Sequence, residues 1–208
     1  MTTPLSIARS ELILGGQKSG KSRRAELLAR DWLAQNSEHR AVFLATAQPW
    51  DDEMRQRIER HQSDRAERVP GMLTVEEPLD LAAALRQHSS AQTLVVIDCL
   101  TLWLTNWTMP QEAAEPVEAT NDQKYGSNQP LALYWRAQAA LFLGVIERAP
   151  GPVVLVGNEI GLGVIPLGSE VRAFVDALGV LNQQVAQVCQ RVTLMAAGLP
   201  LTLKDSGA

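Results

Sequence analysis

The sequence predicts an α/β fold, three layers deep, with a mostly parallel central sheet. Three observations carry that expectation. A glycine-rich loop near the start of the chain stands between an apolar run and an amphipathic helical segment. Short aliphatic runs then recur along the chain, most of them followed by a stretch with helical periodicity. One run, Thr93-Leu94-Val95-Val96-Ile97-Asp98, stays apolar until it closes on an acid. A strand buried on both faces that delivers a carboxylate to the sheet edge reads this way.

The loop is Gly15-Gly16-Gln17-Lys18-Ser19-Gly20-Lys21-Ser22, and it fits G-x-x-x-x-G-K-[ST]. Leu12, Ile13 and Leu14 before it read as a strand. Arg23 to Trp32 after it place Ala25, Leu28, Ala29 and Trp32 at helical spacing. Strand, glycine loop and helix together define a phosphate loop, and with it a phosphate-loop NTPase (RecA-like) fold. Glycines let backbone N–H groups converge on an anion, and the helix N-terminus adds partial positive charge. Lys21 is placed to reach the β- and γ-phosphates of a nucleotide. Ser22 and Asp98 are the expected Mg²⁺ ligands.

A chain of 208 residues, 46% hydrophobic and 20% charged, suits one domain spanning 1–208 with a sizeable core. The net charge of −4 argues against a nucleic-acid binder working through a broad basic surface. The first ten residues lack the charged-then-apolar pattern of a signal peptide, and no run is long enough to span a membrane. Cys99 and Cys189 sit in apolar contexts without metal-ligand spacing, so buried free thiols in a cytoplasmic protein are expected.

Ala41 to Thr46 reads as a second strand, and Thr46-Ala47-Gln48-Pro49 as a loop at its carboxyl end, where ligands bind in such sheets. Asp51 and Asp52 can cap a helix running to about Arg65. Met54, Ile58 and His61 share one face of it. His61 lies among Arg57, Arg60 and Arg65. Two readings follow: a surface histidine on a charge-laced helix, which the residues alone favour, or an anion site. Leu73 to Glu76 is a short strand, Leu79 to His88 a helix, and Leu100 to Trp107 an apolar stretch in which Trp103 and Trp107 suit core or subunit-interface packing. From Met109 to Pro130 the composition turns polar and proline-bearing, which predicts a long surface loop at about 109–130. Leu131 to Arg148 reads as a helix and Val153 to Val156 as a buried strand. The glycine-rich segment Gly157 to Pro166 follows, then a helix over Val171 to Cys189 carrying Arg172, Asp176, Asn182 and Gln183. Val192 to Ala196 is the last clear strand, and Gly198 to Lys204 a terminal turn or edge strand.

These segments together resemble the bifunctional adenosylcobinamide kinase/adenosylcobinamide-phosphate guanylyltransferase family. The matching stretches are GGQKSGKS (15–22), FLATAQ (43–48), DDEMRQRIERHQSDR (51–65), TVEEP (74–78), VVIDCLTLWLTN (95–106), GNEIGLGVIP (157–166), RAFVDALGVLNQ (172–183) and GLPLTLK (198–204). They run in family order over nearly the whole chain. The resemblance implies phosphorylation of adenosylcobinamide by ATP or GTP. It then implies transfer of GMP from GTP, through a histidine adduct, to adenosylcobinamide phosphate. It maps the guanylylated histidine onto His61; His39 and His88 lie outside the motif. It maps nucleotide contacts onto Gly15 to Ser22, Ala45, Thr46, Ala47, Gln62, Ser63, Asp64, Arg65, Glu76 and Asp98, and it implies a homo-oligomer, with a trimer as one form. Arg65, Arg57 and Arg60 are candidates to neutralise phosphate charge. Glu76 also reads as a plain surface acid at a strand end. The chain departs from the family pattern at Met72-Leu73, where tryptophan is usual, and at Gly157, where Ser or Thr commonly precedes the Asn-Glu pair. A monofunctional small-molecule kinase and a GTP-binding module without transfer chemistry are the alternatives.

Overall fold

The computed structural model describes residues 5–109 and 128–207. Seven strands form one sheet in the order β3-β2-β4-β5-β1-β6-β7. They are β1 (Ser10–Gly15), β2 (Arg40–Ala45), β3 (Leu73–Glu76), β4 (Thr93–Asp98), β5 (Val153–Val156), β6 (Arg191–Ala196) and β7 (Leu199–Asp205). Every pairing is parallel except β6 with β7. The expected α/β fold with a mostly parallel sheet is therefore the observed one. β5 runs between β1, which feeds the phosphate loop, and β4, which ends in Asp98. The terminal segment is an edge strand rather than a turn.

The side-chain period of two sorts each strand between two cores. Leu12, Leu14, Val42, Leu44, Val95, Ile97, Val153 and Leu155 face one side. There they meet α3 (Leu81–His88), α4 (Leu100–Thr108), α5 (Asn128–Arg148) and α6 (Ser169–Val188). Ile13, Ala41, Phe43, Leu94, Val96, Val154 and Val156 face the other. Against them lies α1 (Lys21–Gln35), through Ala25, Leu28 and Ala29. α2 (Asp52–Arg68) covers the same face through Arg65, whose guanidinium lies 3.8 Å from the centre of the Phe43 ring. Both faces of the central strands are thus dry, which is why these strands read as unbroken apolar runs. A leucine fully buried in this way contributes roughly 1.5–3 kcal/mol. The one acid in β1, Glu11, is buried and fully engaged: it accepts from Arg24 Nε and Thr193 Oγ1 at 2.9 and 2.8 Å, and Arg191 lies 3.4 Å away.

Helix ends refine the expected boundaries. Asp51 caps α2 by accepting from Met54 N at 2.7 Å, and α2 continues three residues past Arg65. Asp80 accepts from Ala83 N, so α3 starts at Leu81 rather than Leu79. α5 begins at Asn128, ahead of the expected Leu131, with Pro130 in its first turn, where a missing N–H breaks no helix bond. The rest of the predicted polar loop, 110–127, lies outside the described residues. Trp103 is buried in the core and donates its indole N–H to Leu79 O at 2.7 Å. Trp107 is half-buried and packs on the Tyr134 ring. Cys99 and Cys189 are buried free thiols, as expected.

Candidate active site

The phosphate loop leaves β1 through Gly15, whose φ of +151° no L side chain adopts readily. A Cβ there would stand 2.5 Å from Met195 O and 2.6 Å from Ser19 Oγ. Lys18 takes the left-handed conformation at φ +57°, and Gly20 at φ +102° introduces α1. No side chain caps α1, so its first N–H groups remain free to meet an anion. Ser19 Oγ is buried without a hydrogen-bond partner among the described residues. A loop that withholds protein partners from its own donors in this way fits a phosphate group.

Lys21 is buried, and its ammonium donates to Gly16 O at 2.6 Å. Burial pulls its pKa below the usual lysine range; the nearby Asp98 opposes that shift and the charge of Arg57 adds to it. Asp98 ends β4, in register with Ala45 of β2 and Val156 of β5. The protein packed round its carboxyl pushes it above the ordinary carboxylate range, against a hydrogen bond from Ser22 and the charges of His61, Lys21 and Arg65. Ser22 hydroxyl and Asp98 carboxylate thus stand together. They are hard oxygen ligands of the kind Mg²⁺ takes alongside phosphates and water. Among the described residues no cluster of three or more His, Cys, Asp or Glu is poised to hold a metal ion unaided.

The same interactions orient α2. His61 is exposed and lies within electrostatic reach of Asp98, as does Arg65, while Arg57 lies within reach of Lys21. These three residues are spaced four apart, so they form one stripe on the helix. Arg57, His61 and Arg65 therefore form the stripe of α2 turned toward Lys21 and Asp98, and His61 also shares a face with Met54 and Ile58, as expected. Met54 and Ile58 are only half-buried. Arg65 does not extend into the open site. It is buried, stacks on Phe43 and donates to Thr74 Oγ1 at 3.2 Å. Burial lowers its pKa from the ordinary arginine value, and Glu26 and Asp98 oppose the shift. Asp64 is engaged 3.0 Å from Arg68, and Ser63 is exposed. Gln62 meets Glu76, Nε2 to Oε1, at 3.4 Å, and Glu76 stands level with Ala45 at the carboxyl edge.

Thr46 has a different environment from the one its motif suggests. It is buried, its hydroxyl donates to Cys99 O at 2.8 Å and accepts from Cys99 N at 2.7 Å, and its carbonyl accepts from Asn106 Nδ2 at 2.9 Å. Its polar groups tie the ends of β2 and β4 together and leave Ala45 and Ala47 beside the site. The segment after β5 is held just as closely. Gly157 N donates to Ile13 O, Asn158 N to Thr101 Oγ1 and Glu159 N to Gly15 O, at 3.0, 2.9 and 3.1 Å. Asn182 Nδ2 donates to Asn158 O at 3.1 Å, and Arg172 reaches Pro166 O and Leu167 O. Sequence reasoning had not assigned roles to Thr101, Asn106 or Asn182. The available signal was a buried-type polar residue inside an otherwise apolar helix.

With this geometry in view, the comparisons with known proteins are specific. The family described as cobinamide kinase / cobinamide phosphate guanyltransferase matches residues 11–203. The bifunctional adenosylcobalamin biosynthesis protein CobP of Pseudomonas aeruginosa is 42% identical over 194 residues, covering 93% of this chain and 96% of that protein. The bifunctional adenosylcobalamin biosynthesis protein CobU of Escherichia coli K12 is 31% identical over 193 residues, covering 93% and 98%. Among solved structures, flagellar accessory protein FlaH from Methanocaldococcus jannaschii aligns with a TM-score of 0.49 at 11% identity, over 98% of this chain and 83% of that one. The chain belongs to the cobinamide kinase / cobinamide phosphate guanyltransferase family.

Proposed function

We propose that one phosphate loop serves two successive transfers on a corrinoid. In the first, the hydroxyl oxygen of adenosylcobinamide attacks the γ-phosphorus of ATP or GTP, the bond to the bridging oxygen breaks, and a nucleoside diphosphate leaves. In the second, a ring nitrogen of His61 attacks the α-phosphorus of GTP and pyrophosphate leaves. A phosphate oxygen of adenosylcobinamide phosphate then attacks the same phosphorus. The N–P bond breaks, His61 is restored, and adenosylcobinamide-GDP forms.

The observation that carries this reading is a phosphate loop with donors unpartnered among the described residues, its uncapped helix α1 tied by the Glu26–Arg68 ion pair to α2, the helix that bears His61. An imidazole on a helix face flanked by Arg57 is suited to meet a bound triphosphate. Gly15 to Ser22 cradle the phosphates, and Lys21 and Arg57 offset their charge. Ser22 and Asp98 would hold Mg²⁺, which supplies charge neutralisation at the phosphate oxygens. Ala45, Ala47, Gln62 and Glu76 line the same edge toward β3. Leu162, Val164, Ile165 and Leu167 lie almost fully exposed in the segment after β5. An apolar segment beside a nucleotide site suits a macrocyclic acceptor.

Self-association belongs to the same reading. Exposed Leu199, Leu201 and Leu203 on edge strand β7 support it, and sedimentation would show a species heavier than the single chain. Buried free thiols support a cytoplasmic location. Among the described residues no helix is long and apolar enough to cross a membrane.

The deciding experiment is incubation with α-³²P-GTP and Mg²⁺. Wild type acquires an acid-labile, base-stable label, and His61→Ala does not while keeping kinase activity. Unchanged labelling of His61→Ala removes the histidine from this role, and an unlabelled wild type leaves only a kinase.

A further inference from the structure

Beside the phosphate loop, the carboxyl edge carries an acid, Glu159, that the two transfers above leave unassigned. Glu159 lies on the segment that leaves β5, the strand between the phosphate-loop strand β1 and the Asp98 strand β4. Its backbone N–H donates to Gly15 O at 3.1 Å, so it sits against the first residue of the phosphate loop. Its neighbour Asn158 is clamped from two sides, its N–H to Thr101 Oγ1 at 2.9 Å and its carbonyl to Asn182 Nδ2 at 3.1 Å. Asn182 is itself buried. The segment is therefore fixed between α4, α6 and β1 before Glu159 projects from it.

The Glu159 side chain is half-buried, and Oε1 accepts from Gly161 N at 2.9 Å. Oε2 makes no hydrogen bond among the described residues. A carboxylate steadied through one oxygen with the other open is suited to accept a proton. The other acids of this edge are placed otherwise. Asp98 is bound up with Ser22 and Lys21. Glu76 ends β3 and Glu77 follows it, with Glu77 Oε1 accepting from Leu79 N and Asp80 N; both acids lie four strands from β1 and hence roughly 19 Å away at about 4.8 Å per strand. The exposed apolar run that suits the acceptor begins immediately after Glu159, at Ile160 and Leu162.

We propose that Glu159 is the general base of the kinase step, resting on the kinase reading above. Its carboxylate takes the proton of the acceptor hydroxyl as that oxygen bonds to the γ-phosphorus and the β–γ bridging bond breaks. The proton then passes to solvent when the product leaves. Guanylyl transfer to His61 needs no such base, because a neutral imidazole nitrogen attacks with its own lone pair.

The test compares wild type, Glu159→Gln and Glu159→Asp in two assays: γ-phosphoryl transfer from labelled ATP or GTP to adenosylcobinamide, and α-³²P-GTP labelling of His61. Glu159→Gln should lower the kinase kcat by about 10²–10⁴-fold, with the KM for nucleotide and the His61 labelling rate near wild type. Glu159→Asp should restore part of the kinase kcat. Two results overturn the proposal: a Glu159→Gln kinase within about threefold of wild type, below the range for general-base loss, or a parallel fall in both assays, which would mean that the residue only shapes the loop. A wild type that labels His61 but phosphorylates nothing also removes the base, while leaving guanylyl transfer intact. A wild type that does neither sinks the functional reading itself.

Discussion

Arg68 Nη1 lies 2.9 Å from Glu26 Oε2, and this ion pair ties the helix that carries His61 to the helix that follows the phosphate loop. Glu26 is buried, whereas Arg68 is about half exposed. Its two carboxylate partners, Glu26 and Asp64, hold the Arg68 guanidinium above its ordinary pKa. Arg68→Ala leaves Glu26 buried without its cation. The expected loss is about 2 kcal/mol in chemical denaturation, less than for a fully buried pair because Arg68 is partly solvated. Labelling of His61 should slow about tenfold, since that factor corresponds to about 1.4 kcal/mol of lost positioning. Unchanged labelling would mean that α2 is held by Arg65 and Phe43 alone.

Gly15→Ala places a methyl group against Met195 O and Ser19 Oγ. The loop must shift, at a cost of about 1–3 kcal/mol. Both transfers should fall together, by about 100-fold, because a displacement near 1 Å is enough for that. Steady-state assays of each half-reaction measure this. A loss confined to one of them would show that two separate nucleotide sites exist.

Thr46→Val keeps the shape of Thr46 and removes its hydroxyl, leaving Cys99 N without a partner. Stability should drop by about 1–3 kcal/mol. GTP affinity by calorimetry should stay at the wild-type value, since the Thr46 groups are already taken within the protein. A selective loss of affinity at wild-type stability would return Thr46 to the nucleotide contacts.

Leu162→Ser with Ile165→Ser alters two exposed side chains, so folding should be unaffected. If the corrinoid rests on them, the KM for adenosylcobinamide should rise about tenfold or more. His61 labelling by GTP alone should not change. Equal KM values in the variant and wild type would move the acceptor elsewhere.

The thiols set an alkaline limit. Burial pushes Cys99 and Cys189 up from 9.0 to about 12. A native thiol pKa above the unfolded value means that the native state holds more protons between pH 9 and about 12. Stability is therefore fully present below pH 9 and is lost as pH rises through this window, by about 1.4 kcal/mol per pH unit for each thiol. Cys189→Ala should make the fall shallower by one thiol's share, read from denaturant midpoints across the alkaline range. An identical slope would show that Cys189 ionises freely in the folded protein.

Much of this protein was legible without coordinates. Leu12 to Leu14, Leu94 to Ile97 and Val153 to Val156 are apolar at every position because both faces of their strands are covered, so they were recognisable as central parallel strands. Gly15 to Ser22 were recognisable because only certain backbone shapes gather amides round an anion. Contacts between distant segments were not legible. His61 could be placed on a helix, but which stripe of α2 faces the phosphate loop depends on the Glu26–Arg68 pair and on Arg65 lying over Phe43. The inward role of Thr46 depends on Cys99, 53 positions later. Glu159 stands beside Gly15 only because β5 enters the sheet between β1 and β4. Periodicity and local chemistry are properties of neighbours along the chain and act through the backbone. The approach of one side chain to another across the sheet edge is decided by strand order and by which polar groups find partners on folding, and only the tertiary structure determines those.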